Sequence, residues 1–91
     1  MGFEWDEEKA KANFKKHGVL FSTEAVSVFD DDLAITVEDE SDSPERRFVT
    51  VGMGLKARVL VVVYVWRGDT VRLISARPAA AYEREEYEAR R

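Results

Sequence analysis

Cysteine is absent and histidine occurs once, as His17. Without thiols there is no disulfide framework and no thiolate zinc site, and one imidazole cannot form a histidine metal cluster. Glycine is scarce, and Gly52, Gly54 and Gly68 read as turn positions whose spacing matches no phosphate-binding loop. The longest apolar run, Val59–Trp66, has eight residues, against about twenty for a membrane span. The opening Met1–Asp6 carries neither a basic segment nor a long apolar one, so it does not read as a signal peptide, and a cytoplasmic protein is the expectation. A chain of 91 residues reads as a single domain, residues 1–91, burying roughly 60–65% of its unfolded surface around one modest core.

The net charge of −4 conceals an uneven distribution. Residues 1–47 hold six basic and thirteen acidic side chains. Residues 48–82 reverse this, with Lys56, Arg58, Arg67, Arg72 and Arg77 against Asp69 alone. A basic strand region in an acidic protein can present a local anion-binding face. Ordinary solvated strand and turn positions remain the competing reading.

Phe3–Trp5 reads as a short opening strand. Asp6 then caps a helix over 6–17, with Glu7 and Glu8 in its first turn, Lys15, Lys16 and His17 in its last, and Gly18 as its stop. Ser22 is placed to cap a second helix ending near Phe29, stapled by Phe21 and Val26. From Leu33 the period changes to two. Leu33, Ile35 and Val37 alternate with Ala34, Thr36 and Glu38, 39–45 form a polar loop, and 47–53 alternate again. Val59–Trp66 predicts a central strand covered on both faces, joined through the turn Arg67-Gly68-Asp69 to a returning strand over 71–76. Pro78 fits the first turn of a closing helix. The expected fold is α+β: two N-terminal helices, an antiparallel sheet of about four strands and a C-terminal helix.

A metal site has one candidate, Asp30–Asp32 with Glu38, Asp39 and Glu40. Consecutive loop carboxylates point in different directions, so a solvated helix end explains them better than magnesium does. No serine or cysteine nucleophile arrangement is present. What remains is metal-free phosphate chemistry. RNA can be cleaved through its own 2′-hydroxyl if a protein orients the strand and stabilises the phosphorane, and arginine forks suit the second task. His17 is a proton-transfer candidate, since imidazole titrates near ~6.5; it equally suits a helix C-terminal donor. Trp5 and Tyr64 read as core residues that can also offer a ring or hydroxyl to RNA.

Phe3-Glu4-Trp5-Asp6, Lys9, Asn13, Lys16-His17-Gly18-Val19 and Phe21 resemble the start of the BrnT proteins, ribonuclease toxins of type II toxin–antitoxin systems. The resemblance continues through Ala25, Val28-Phe29-Asp30, Arg47-Phe48, Leu60–Tyr64, Arg67-Gly68, Ile74-Ser75-Ala76-Arg77, Glu83 and Tyr87. It implies a RelE-like fold and an endoribonuclease that inhibits translation. It also implies a BrnA-like ribbon-helix-helix antitoxin, through which alone the protein contacts DNA, and neither a cofactor nor a membrane. Arg77 and Arg67 become the expected phosphate contacts, with Lys56, Arg58 and Arg72 as supporting RNA-binding positions. His17, Tyr64, Glu83 and Tyr87 become proton-transfer or substrate-positioning candidates.

The chain departs from the family pattern at Pro78-Ala79-Ala80-Ala81-Tyr82, where members usually carry basic residues and a capping threonine. Ala80 cannot cap, so Pro78 is expected to move the helix start upstream. The lost positive charge weakens attraction to RNA. Trp66 replaces a common glutamate and is a candidate for an exposed antitoxin contact or for packing at a strand end. A second reading follows from these departures: a weak or inactive toxin homologue that retains only the antitoxin-binding surface. For Arg77 the alternation of 71–77 predicts the face of Val71, with either a phosphate or Glu83 as its partner.

Overall fold

The computed structural model describes residues 1–40 and 44–90. Part of the expected loop, Ser41 to Ser43, lies outside them. The chain runs β1 (Gly2–Glu4), α1 (Glu7–His17), an irregular helical segment over 21–30, β2 (Ile35–Asp39), β3 (Arg47–Met53), β4 (Val59–Arg67), β5 (Thr70–Pro78) and α2 (Ala81–Glu88). The sheet has five strands in the order β1-β5-β4-β3-β2, one more than expected. It is mixed, not antiparallel throughout, because the opening strand joins parallel to β5, pairing Phe3 with Val71.

α1 forms as its ends dictate. The Asp6 carboxylate accepts the Glu8 and Lys9 N–H groups at 2.9 and 3.2 Å. Gly18 closes the helix in the left-handed conformation (φ 70°), where a side chain would be strained. The second helix is less regular than its sequence suggested, and the Ser22 hydroxyl does not cap it. A wide π turn, Phe21–Ala25, starts from Leu20 without a side-chain cap, and a tight 3-10 turn follows at Val28–Asp30. The wide turn lets the adjacent Glu24 and Ala25 both become buried.

One face of the sheet, the inner one, packs Leu60, Val62, Tyr64, Val71, Leu73 and Ala76 against Val19, Phe21, Ala25 and Val28. The helical segment approaches so closely that a Cβ at Gly52 would stand 2.9 Å from Val28 Cγ1 and 3.0 Å from Ala34 Cβ. Gly52 is thus a strand residue at a contact point, not a turn residue. The outer face carries Val59, Val61, Val63 and Val65 from β4, with Val49, Val51, Ile35 and Val37 beside them in register. α2 covers only part of that row, and Val37 stays 56% exposed.

Two features of β5 reverse sequence-based expectations. First, the register with β4 slips between Val63 and Tyr64: Val63 pairs with Ser75, but Tyr64 with Leu73. The extra residue inverts the alternation, so Arg77 opposes Val61 on the outer face while Val71 lies on the inner one. Second, β5 continues through Pro78, which pairs with Leu60, and the Ala79 N–H donates to Val59 O at 2.9 Å. This pairing holds Pro78 in the sheet, so α2 starts after it, at Ala81, and not upstream.

Beyond β1, the free edge of β5 is satisfied by Asn13 of α1. Its Oδ1 accepts the Ala76 N–H at 3.1 Å, and its Nδ2 donates to Ala76 O at 2.8 Å and Val19 O at 3.2 Å. The side chain replaces a missing neighbouring strand. Asn13→Ala leaves buried backbone groups unpaired at about 1–3 kcal/mol each. Asn13→Asp should be worse, since it keeps the acceptor but presents a charge to two carbonyls. Urea denaturation of both variants checks that order; equal stability to wild type would contradict it.

Candidate functional site

The outer face gathers four arginines. Arg77 and Arg72 lie on β5, Arg67 on β4 and Arg47 on β3. One register row reads Asp39, Arg47, Val65, Arg72, Glu4 across five strands. Arg67 follows one row toward the β4–β5 turn, and Arg77 lies at the other end, in the row of Ile35, Val51 and Val61. From Val61 to Arg67 is six residues, roughly 20 Å along a strand. Arg67 and Arg77 therefore cannot grip one phosphate together, although one extended strand can reach both.

Arg77 meets Glu83 through both prongs of its fork, Nη1 to Oε1 at 2.8 Å and Nη2 to Oε2 at 2.9 Å. Glu83 also accepts the Ala80 N–H at 2.8 Å, which supplies the half of a capping box that Ala80 leaves possible. The Arg77 hydrogen bonds hold the Glu83 carboxyl below its usual range despite partial burial, and Glu83 raises Arg77 in turn. At neutral pH Glu83 is a carboxylate. Arg77 keeps 41% of its side chain exposed, and Tyr82, Glu83 and Glu86 line a groove with Ile35, Val37, Val49 and Val51 beside it.

The other sequence-derived residues do not converge there. Arg72 pairs with Glu4 at 2.8 Å, and Arg67 with Glu45 at 3.1 Å. Arg58 faces the helical segment instead: it binds the buried Glu24 carboxylate through Nε and Nη2 and donates to Gly18 O at 2.8 Å. Lys56 is exposed on the turn beside it. Tyr64 is buried on the inner face, its hydroxyl bonded to Thr50 at 2.9 Å and its ring packed by Phe29, Phe48 and Trp66. Tyr87 is 1% exposed, and its hydroxyl donates to Asp31. Asp31, one of the carboxylates of the candidate metal segment, also accepts the Met53 and Leu33 N–H groups, at 2.7 and 3.0 Å. His17 lines a shallow edge cleft with Lys9, Lys16, Ile74 and Ser75. Trp66 is 44% exposed on the inner side of the strand end, beside Tyr64.

Sequence reasoning missed two residues. Glu24 gave no signal, since its partner lies 34 positions away. Arg47 did give one: it shares parity with Val49 and Val51 in an alternating strand, which places it on the same face.

Fold and surface together define a small α+β protein whose mixed sheet carries a row of guanidinium groups on one face, a class suited to phosphate ligands. The comparisons narrow this. A family model described as ribonuclease toxin, BrnT, of type II toxin-antitoxin system matches residues 5–83, and the chain belongs to that family. Among solved structures it is similar to the ribonuclease toxin BrnT of Brucella abortus, at 24% identity and a TM-score of 0.70, over 88% of this chain and 97% of that one. That likeness shows the fold. No match is found among curated proteins. Among the described residues no helix is long and apolar enough to cross a membrane.

Proposed function

We propose that residues 1–91 form a single RelE-like toxin domain acting in the cytoplasm as a metal-independent endoribonuclease. It inhibits translation by cutting RNA and is neutralised by a ribbon-helix-helix antitoxin, through which it contacts DNA. The supporting observation is the outer sheet face, which presents Arg77, Arg72 and Arg67 in a chain of a ribonuclease toxin family.

In this reading the scissile phosphate sits at Arg77. The substrate 2′-oxygen attacks phosphorus, the bond to the 5′-oxygen breaks, and the products are a 2′,3′-cyclic phosphate and a 5′-hydroxyl. Arg77 stabilises the phosphorane with the N–H groups that its pairing with Glu83 leaves over, on a guanidinium that the pair already holds in place, so little further ordering is needed. Glu83 is the carboxylate next to that fork and is the candidate acceptor for the 2′-hydroxyl proton, while the departing 5′-oxygen takes a proton from solvent. Arg67 and Arg72, farther along the face, hold flanking phosphates. Tyr64 and Tyr87 act through packing, because both hydroxyls are committed inside the fold. His17 stays a candidate for the strand edge near Ser75. Half-exposed Trp66 is the candidate antitoxin contact.

Induced expression tests the reading. Growth arrest relieved by co-expression of a ribbon-helix-helix protein from the adjoining reading frame is the expected result. Binding to that partner without growth arrest would favour the inactive homologue instead.

A further inference from the structure

Of the four outer-face arginines, Arg77, Arg72 and Arg67 each pair with a glutamate. Arg47 does not: among the described residues it has no ion pair, and its Nε is buried without a hydrogen-bond partner. A buried donor left unpaired is destabilising, and such groups in folded proteins call for an explanation. The strand neighbours of Arg47 are Asp39 and Val65, and the next residue across is Arg72. Four residues separate Val65 from Val61, the partner of Arg77, which corresponds to roughly 13 Å.

We propose that Arg47 is the centre of a phosphodiester subsite on the outer face, with Arg72 as its neighbour across Val65. The inference rests on the RNA-cleaving reading above and deepens it by assigning Arg47, beside Arg72, to the flanking phosphate position of that row. An incoming phosphate meets, at the Nη groups of Arg47, a guanidinium whose charge no carboxylate among the described residues offsets, whereas Arg67 and Arg72 already carry a carboxylate partner. The subsite lies too far from Arg77 to touch the scissile group. Its role is to hold the strand in register, so Arg47 is a positioning residue.

Two properties of Arg47→Met follow, and a merely structural arginine would show neither. The variant keeps the apolar stem and removes the unpaired donor, so its melting temperature should rise by a few degrees. Its affinity for a fluorescent, all-deoxy single strand of about ten nucleotides should fall several-fold. The slope of log affinity against log salt should become shallower by about 0.7, the loss of one single-strand phosphate contact. Arg47→Lys should retain that slope while losing part of the affinity. Arg46→Gln, whose guanidinium sits over Phe48 and pairs with Glu38, is the control and should leave the slope unchanged.

The deoxy strand cannot be cleaved through a 2′-hydroxyl, so binding is read independently of catalysis. If wild type binds the strand but cuts no RNA, the subsite stands and the ribonuclease reading falls. If Arg47→Met melts lower than wild type, or binds with unchanged affinity and slope, the subsite is refuted. Absence of any binding by wild type refutes it as well.

Discussion

Arg58→Ala is expected to destabilise the protein by about 3 kcal/mol and to invert the pH dependence of its stability. Glu24 is 1% exposed and is held by Arg58, which ties the 21–30 segment to the β3–β4 turn and to Gly18. Removing one partner of a buried pair strands the other charge, at roughly 3–5 kcal/mol. The lower figure applies because the Arg58 side chain is itself 37% exposed. In a chain of this size that corresponds to a melting temperature lower by on the order of 15 °C.

The pH signature separates this from ordinary loss of packing. In the wild type the Arg58 hydrogen bonds outweigh desolvation and lower the Glu24 pKa. The pair's contribution is therefore complete above the ordinary glutamate value of about 4.3 and fades as pH falls through the lower folded value. Without Arg58, burial is opposed only by the weaker attraction of Lys56 and disfavours the carboxylate. The variant should gain stability as pH drops from 7 toward 5, where the wild type is flat. Denaturation midpoints across that interval decide it, and a variant curve parallel to wild type would contradict the stranded charge.

Arg77→Lys is expected to lower RNA cleavage by on the order of 10²-fold, the usual loss when one preorganised donor is removed. Lysine keeps the charge but loses the fork that now spans both Glu83 oxygens. The same pair anchors the start of α2, so some thermal stability is lost too. Partial exposure of Arg77 and the separate hold of Tyr87 on Asp31 limit that loss to a few degrees. Single-turnover cleavage per folded molecule is the discriminating measurement. If it survives in Arg77→Lys while the melting temperature collapses, Arg77 is an anchor and the cleavage centre lies elsewhere.

Legibility followed the range of the interactions. α1 could be read from the sequence because Asp6, Gly18 and the terminal charges act within one turn of their own helix. β4 could be read because every position from Val59 to Trp66 is apolar. The face of Arg77 could not, because it depends on a bulge opposite Val63 and Tyr64, and no local residue pattern announced it. The start of α2 escaped for a related reason. Pro78 suits a first helical turn, yet the pairing of Pro78 with Leu60 and the Ala79 bond to Val59 keep it in the strand. Arg58 was assigned to RNA from its charge and turn position, while its geometry depends on Glu24 in a segment distant in sequence. Arg47 shows the opposite case: the alternation that puts Val49 and Val51 on the outer face puts Arg47 there too.

The most direct measurement is cleavage of a defined RNA by the purified protein in EDTA, with the product ends identified. In the proposed mechanism, proton transfer and phosphorane stabilisation fall to Glu83 and Arg77 without a divalent ion, so cutting should persist and leave 2′,3′-cyclic phosphate or 3′-phosphate together with 5′-hydroxyl ends. Cleavage that appears only on adding magnesium and yields 5′-phosphates would contradict the account.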